Sequence, residues 1–263
     1  MSFATKKNLG QNFLIDEKVI DIITDIANID SKDEVLEVGP GAGALTHSIL
    51  KKKPKYFTVI EKDQRLVNIL NDKYGDKINV INDDMMKFSY KRFEKSKLII
   101  FGNLPYNIST QILAKWIKIS NLEQFCKKFI LMFQKEVADR IIADTNTKNY
   151  GRLSILSNWK MEIEKIIDIE PNSFKPSPKV KSTLLTMVPK KNFYKIKNVK
   201  NLEHITNVFF SQRRKMIKKP LKFLFGNHED ITNKLSLDLN LRPQNLDNVT
   251  YYKICEIYEN LTD

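Results

Sequence analysis

Four short stretches carry residue types that can do chemistry, and their order along the chain matters as much as their composition. Glu37-Val38-Gly39-Pro40-Gly41-Ala42-Gly43 follows an apolar run and sets three glycines at alternate positions. Glu61 closes the next apolar run, Asp83-Asp84 follows the third, and Asn103-Leu104-Pro105-Tyr106 follows the fourth. Glycines after a strand let the backbone approach a ligand closely, at the carboxyl ends where open sheets bind nucleotides. An acid ending the next strand can grip ribose hydroxyls, and an acid after the third can meet an adenine amine from its edge. None of these discriminates alone. Gly39-x-Gly41-x-x-Ala44 also fits the dinucleotide fingerprint, and nicotinamide enzymes place an acid much as Glu61 is placed.

The fourth stretch is more specific. An exocyclic amine on an aromatic base is a poor nucleophile because its lone pair is delocalised into the ring. If such an amine donates hydrogen bonds to the Asn103 side-chain oxygen and the Leu104 carbonyl, the nitrogen is drawn towards sp3 character. Its lone pair then points at an electrophilic methyl such as that of a sulfonium. Pro105 fixes the turn, and Tyr106 offers a face on which an extruded base stacks. No strong base is required, since the proton leaves once the nitrogen has become cationic. Asn103, Leu104 and Tyr106 are therefore the candidate catalytic residues.

Elements must hold these stretches in one place. Apolar runs at 35–38, 56–60, 78–81, 97–101 and 129–133 read as strands, and amphipathic stretches at 45–50, 64–70 and 110–119 read as helices between them. Strands alternating with helices predict a parallel α/β sheet of Rossmann-like type, covered by helices on both faces. Runs at 163–169 and 183–188 flank a proline-rich stretch without room for a helix and suggest an antiparallel, hairpin-like edge. A basic, irregular linker follows from Pro189 to Lys200. Helical patterns then occupy 202–211, 213–225, 231–239 and 251–261 without strand-like runs, which predicts a small all-helical domain. The expected division is residues 1–190 and 191–263.

Composition narrows the partners. The 263 residues carry a formal net charge of +13, which favours a polyanion, because cationic side chains displace counterions condensed on phosphates. The charge is concentrated: fourteen Lys or Arg fall between Lys175 and Lys222 against one acid, Glu203. That asymmetry suggests a nucleic-acid face, with Lys179, Arg213, Arg214 and Lys215 as candidate contacts. The two cysteines, Cys126 and Cys255, lie far apart in apolar surroundings and read as buried thiols in a reducing compartment. His47, His204 and His228 are scattered without metal-ligand spacing, so no metal is expected. The His-x-Glu with Cys-x-x-Cys pattern of zinc deaminases is missing, which excludes that route to adenine chemistry. No apolar run reaches membrane length, and the short polar N-terminus is no signal peptide, so a soluble, cytoplasmic protein is expected; separately, a monomer is expected.

With these motifs assembled, the chain resembles the small-subunit (16S) rRNA adenine N6,N6-dimethyltransferases, nearly end to end. The resemblance includes Asn8-Leu9-Gly10-Gln11-Asn12-Phe13-Leu14, the Glu37–Gly43 loop, Val59-Ile60-Glu61-Lys62-Asp63, Asp84-Met85 and Gly102-Asn103-Leu104-Pro105-Tyr106. It continues through Gln134-Lys135-Glu136-Val137-Ala138-Asp139-Arg140, the run from Phe174 to Ser182, and Gln212-Arg213-Arg214-Lys215. The one departure is the small Ala44 before Leu45, which changes side-chain volume and not the backbone logic. The resemblance implies that S-adenosyl-L-methionine contacts Asn12, Leu14, Gly39, Glu61, Asp84 and Asn103, with Gly41 and Met85 nearby. It also implies that Tyr106 and Phe174 sandwich the target adenine, although Phe174 by itself reads as a core aromatic before a proline-rich linker. The implied product is dimethylation of two adjacent adenines in the 3′-terminal hairpin loop of 16S rRNA within the small ribosomal subunit.

Three other readings compete. The 23S rRNA adenine methylases share the fold and the chemistry, but Asn103-Leu104-Pro105-Tyr106 and Gln212-Arg213-Arg214-Lys215 lean to the small-subunit group. A ribosome-assembly factor with secondary catalysis also fits the basic helical region. A nicotinamide-dependent oxidoreductase remains the alternative from the glycine loop alone.

Overall fold

The computed structural model describes residues 11–262; Asn8-Leu9-Gly10 of the first motif lies outside them. The chain divides into two compact units, one of the described residues up to Ala138 with Glu162–Pro189, the other of Asp139–Met161 with the described residues from Lys190 on.

The first unit opens with a two-residue strand, β1 (Phe13–Leu14), and helix α1 (Glu17–Ala27). Asp16 caps α1, its carboxylate accepting from the backbone N–H of Lys18 and Val19. β2 (Glu34–Val38), α2 (Ala44–Lys51), β3 (Tyr56–Glu61), α3 (Gln64–Tyr74), β4 (Asn79–Asn82), β5 (Leu98–Asn103), α4 (Ser109–Ile117), the short α5 (Leu122–Phe125) and β6 (Cys126–Gln134) follow. β2 pairs in parallel with both β3 and β5, and the parallel ladder extends to β4 on one side and β6 on the other. Strands covered on both faces must be apolar throughout, and Leu98 to Phe101 are all at most 1% exposed. Strand order reverses between β2 and β5, so a crevice opens at the carboxyl ends of these two strands.

β6 runs into helix α6 (Lys135–Ile141), and α7 (Arg152–Lys160) precedes β7 (Met161–Ile169), β8 (Phe174–Lys175) and β9 (Ser182–Pro189). The seven-stranded sheet reads β4-β3-β2-β5-β6-β9-β7. β9 is antiparallel to β6, from Phe129↔Met187 to Gln134↔Ser182. β8 leaves the large sheet and pairs antiparallel with β1, Leu14 opposite Phe174 and Phe13 opposite Lys175. That ribbon was not expected, because two-residue strands have no periodicity to read.

The second unit contains α7 together with α8 (Val199–Ser211), α9 (Lys218–Phe225), α10 (Glu229–Leu235) and α11 (Asn248–Thr262). Where a single division at residue 190 was expected, this unit is assembled from two stretches of chain, 139–161 and the described residues from Lys190 on. The bonds are specific. Trp159 donates its indole N–H to the Tyr194 carbonyl at 2.7 Å, Tyr252 its hydroxyl to Ile155 at 2.8 Å, and Tyr150 its hydroxyl to Asn248 Oδ1 at 2.9 Å. α7 escapes a pattern search because its buried positions mix Ser154, Ser157 and Lys160 with Ile155 and Trp159, which leaves no clean apolar stripe. The helix expected at 213–225 is shorter. Residues 212–217 form a turn in which Lys215 N–H reaches the Gln212 carbonyl at 2.8 Å and Ile217 N–H the Leu241 carbonyl at 2.9 Å. α9 then starts at Lys218, with Pro220 in its first turn where a missing N–H costs nothing.

Candidate active site

The glycine loop is shaped by two residues that cannot carry side chains. Gly39 leaves the tip of β2 with φ +73°, its N–H bonded to the Ile60 carbonyl at 2.9 Å. A Cβ there would lie 3.7 Å from the Asn103 carbonyl oxygen. Gly41 has φ +59°, and a Cβ on it would strike the Phe13 ring at 2.7 and 2.8 Å. The left-handed backbone demands glycine at both positions, and at Gly41 lack of room does so as well. The loop opens one side of a cavity of about 510 Å³.

Every residue expected to contact the cofactor lines that cavity: Asn12, Leu14, Gly39, Gly41, Glu61, Asp84, Met85 and Asn103. Leu104 and Tyr106 line it as well. Phe174 does not; it is 2% exposed and belongs to the apolar core beside Leu14 and Ile169. Its neighbour Lys175 reaches the cavity wall instead.

Glu61 sits at the tip of β3, 7% exposed. One carboxylate oxygen accepts from Gly41 N–H at 3.2 Å and the other from Asp63 N–H at 2.9 Å. Burial raises its pKa, against the pull of these backbone donors. Each oxygen keeps a second lone pair, so a ribose diol can bind without breaking the bond that fixes the loop. Asp84 accepts from Lys62 Nζ at 2.8 Å and from Met86 N–H at 2.9 Å. The lysine bond, then the backbone bond, hold its carboxyl below the ordinary range.

Asn103 is the last residue of β5, beside Met132 of β6. Its Nδ2 donates to the Asn12 carbonyl at 2.9 Å, which fixes the sense of the amide and leaves Oδ1 as the end that accepts. Leu104 is 1% exposed, Ser109 Oγ donates to the Tyr106 carbonyl at 3.2 Å, and the Tyr106 hydroxyl meets Ser182 Oγ at 2.6 Å. Burial raises the Tyr106 pKa, with the Ser182 bond opposing. The acceptor pair and the aromatic ring thus stand on one rigid turn against the cavity.

Several residues of the cavity wall, or bracing it from behind, were not singled out by the sequence. Phe13 closes over Gly41, and its signal was its place in the first motif. Glu37 lines the cavity from within the sheet, 2% exposed, its Oε2 accepting from Thr46 Oγ1 at 2.6 Å. Burial, reinforced by the charge of Glu61, pushes its pKa up to about 8 against the Thr46 bond. Lys115 on α4 donates to the carbonyls of Met85, Met86 and Phe88 at 3.5, 3.0 and 2.7 Å, bracing the loop that carries Asp84. A lone lysine on a helix gives no sequence signal for such a role.

Of the candidate RNA contacts, Lys179 in the first unit and Arg214 and Lys215 in the second are exposed. Arg213 is engaged within the second unit. Its Nε donates to Gln244 Oε1 and its Nη2 to the Thr147 carbonyl, both at 3.1 Å. Both cysteines are buried free thiols. Among the described residues no helix is long and apolar enough to cross a membrane.

A family profile described as ribosomal RNA adenine dimethylase matches residues 2–263. A ribosomal RNA small subunit methyltransferase A of Pelagibacter ubique is 54% identical over 261 residues, covering 99% of each chain. A protein of the same name from Ehrlichia ruminantium is 42% identical over 247 residues, covering 92% of each. Among solved structures, a dimethyladenosine transferase from Plasmodium falciparum superposes with a TM-score of 0.81 at 26% identity, over 94% of this chain and 98% of that one. The 23S rRNA methyltransferase ErmE gives 0.69 at 22% identity, over 93% and 100%, a likeness of fold.

Proposed function

The chain belongs to the ribosomal RNA adenine dimethylase family, and from that premise we propose how its own residues carry out S-adenosylmethionine-dependent dimethylation of 16S rRNA. The 23S specificity considered from sequence is not favoured, because the relatives at 54% and 42% identity are small-subunit enzymes by name.

The cavity suits the cofactor. Two glycines that exclude any side chain leave bare backbone for its methionine part, Glu61 offers oxygens to the ribose, and Asp84 beside Met85 offers a carboxylate and an apolar edge to the adenine. When bound, the cofactor supplies an activated methyl group on a sulfonium. A nicotinamide cofactor would need an equivalent pocket for a second nucleotide, and nothing in the Asn103 turn serves hydride transfer.

The chain's part is orientation. Asn103 Oδ1 and the Leu104 carbonyl receive the two N–H bonds of the target amine and hold its lone pair towards the cavity. These bonds strengthen as the nitrogen becomes cationic, so they favour the transition state over the bound substrate. The proton then leaves to solvent. After one transfer the amine retains a single N–H, so one acceptor must tolerate a methyl beside it for the second transfer. The Tyr106 ring carries the extruded base. Phe174 closes the other side only if the β1–β8 ribbon parts, given its burial. Lys179, Arg214 and Lys215 meet phosphates, and Arg213 fixes the turn that presents the last two. The substrate adenines are the adjacent pair of the 3′-terminal hairpin loop, and the enzyme works as a cytoplasmic monomer.

The observation that carries this reading is the Asn103 amide, oriented by Asn12 at the edge of a glycine-walled cavity. Calorimetry with S-adenosylmethionine and with NAD tests the cofactor, and incubation of undermethylated small subunits with methyl-labelled cofactor tests the transfer. Label should enter the RNA. Binding of subunits without transfer would favour the assembly-factor reading.

A further inference from the structure

The Tyr106 ring is tethered at both ends, and the tether at the phenol comes from a distant strand. Ser182 begins β9 opposite Gln134 of β6 and is 0% exposed. Its Oγ lies 2.6 Å from the Tyr106 hydroxyl, across 76 residues of chain. At the other end, Ser109 of α4 holds the Tyr106 carbonyl. A ring held only at its backbone can swing about its first side-chain torsion. Pinning the phenol oxygen removes that swing, and because a phenolic O–H keeps near the ring plane, it also biases the plane itself.

We infer that Ser182 is a positioning residue for the methyl transfer, holding the face of Tyr106 where the target adenine stacks. This rests on the proposed stacking role of Tyr106. A hydroxyl from β9, two strands away from β5 in the sheet, sets the aromatic platform before RNA arrives, so its ordering is not charged against base binding. Ser182 touches neither base nor cofactor in this account; it acts through Tyr106. A sheet interior would accept an alanine or valine at this point, and the buried hydroxyl finds its use in the phenol.

The test is a double-variant cycle on the full-length enzyme with undermethylated small subunits as substrate. Ser182→Ala and Tyr106→Phe each remove one half of the bond and keep the strand and the ring. Each should lower kcat/KM for the subunit about three- to tenfold, with the cofactor Kd from calorimetry unchanged within twofold. The combined variant should be no worse than the more impaired single one. Ser182→Thr, which keeps the hydroxyl, should recover most of the loss. If Ser182→Ala does not fold, Tyr106→Phe and Ser182→Thr still decide. Wild-type activity in Tyr106→Phe, or effects that simply multiply in the combined variant, would overturn the inference. Absence of transfer by the wild-type protein would instead overturn the proposed function.

Discussion

Asn12 and Asn103, 91 residues apart, are joined by one hydrogen bond of 2.9 Å from the Asn103 side-chain nitrogen to the Asn12 carbonyl. The bond decides which end of the Asn103 amide accepts. In the proposed mechanism a substrate amine meets an oxygen already in position.

Replacing Asn103 by Ala removes the acceptor and leaves the turn. Because the lost bond is strongest in the transition state, kcat should fall about 10²-fold, as for removal of one oxyanion-stabilising group elsewhere. Cofactor affinity should change far less. Single-turnover rates at saturating cofactor, beside calorimetric Kd values, separate the two; full activity would dismiss Asn103 from the chemistry.

Glu61→Ala should act on binding. Losing hydrogen bonds to a charged group costs about 1.5–3 kcal/mol, so the S-adenosylmethionine Kd should rise roughly ten- to a hundredfold. The same variant frees Gly41 N–H, which Glu61 now holds at 3.2 Å. An unaltered Kd by calorimetry would remove Glu61 from the cofactor site.

Gly41→Ala meets two obstacles, a left-handed backbone and the Phe13 ring at 2.7 Å from the new Cβ. The conformation alone costs about 1–2 kcal/mol, and overpacking adds about 1–3. The melting temperature should drop by about 5 °C or more. Adding Phe13→Ala should return part of the lost stability relative to Phe13→Ala alone, since it relieves the clash and not the torsion. Equal penalties in both backgrounds would show that Phe13 is not the obstacle.

Glu37 predicts a pH dependence with a definite sign. Its folded-state pKa is raised from 4.5 to about 8, so the folded protein holds this proton where the unfolded chain has lost it. The contribution to stability is complete below the ordinary carboxyl range and declines as pH rises towards about 8. Glu37→Gln cannot ionise and lacks the decline. Its melting temperature should match the wild type near pH 5 and exceed it increasingly up to pH 8–9. A difference independent of pH would mean that Glu37 is ionised throughout.

The parts of this protein legible in its sequence are those with a local signature. The parallel strands show as apolar runs, since Val38, Ile60 and Phe101 are buried from both faces. The residues proposed for the cofactor show as motifs at strand ends, since chain order and sheet order together bring Gly39, Glu61, Asp84 and Asn103 to one cavity. Contacts made by topology alone were not legible. Lys115 finds the carbonyls after Asp84, and Ser182 finds Tyr106, only once α4 and β9 are in their layers. α7 hid because buried serines and a lysine interrupt its apolar face. Phe174 illustrates the reverse: the resemblance implied a base contact, and the ring lies buried in the apolar core.

Dimethylation blocks the Watson–Crick edge of adenine and halts reverse transcriptase, so primer extension on RNA from treated, undermethylated small subunits reads the reaction at nucleotide resolution. Wild-type enzyme with S-adenosylmethionine should produce stops at two adjacent adenines of the 3′-terminal hairpin loop, and Asn103→Ala should leave that loop readable. Stops elsewhere in the RNA, or equal stops with the Asn103 variant, would contradict the assignment of the amine to this turn.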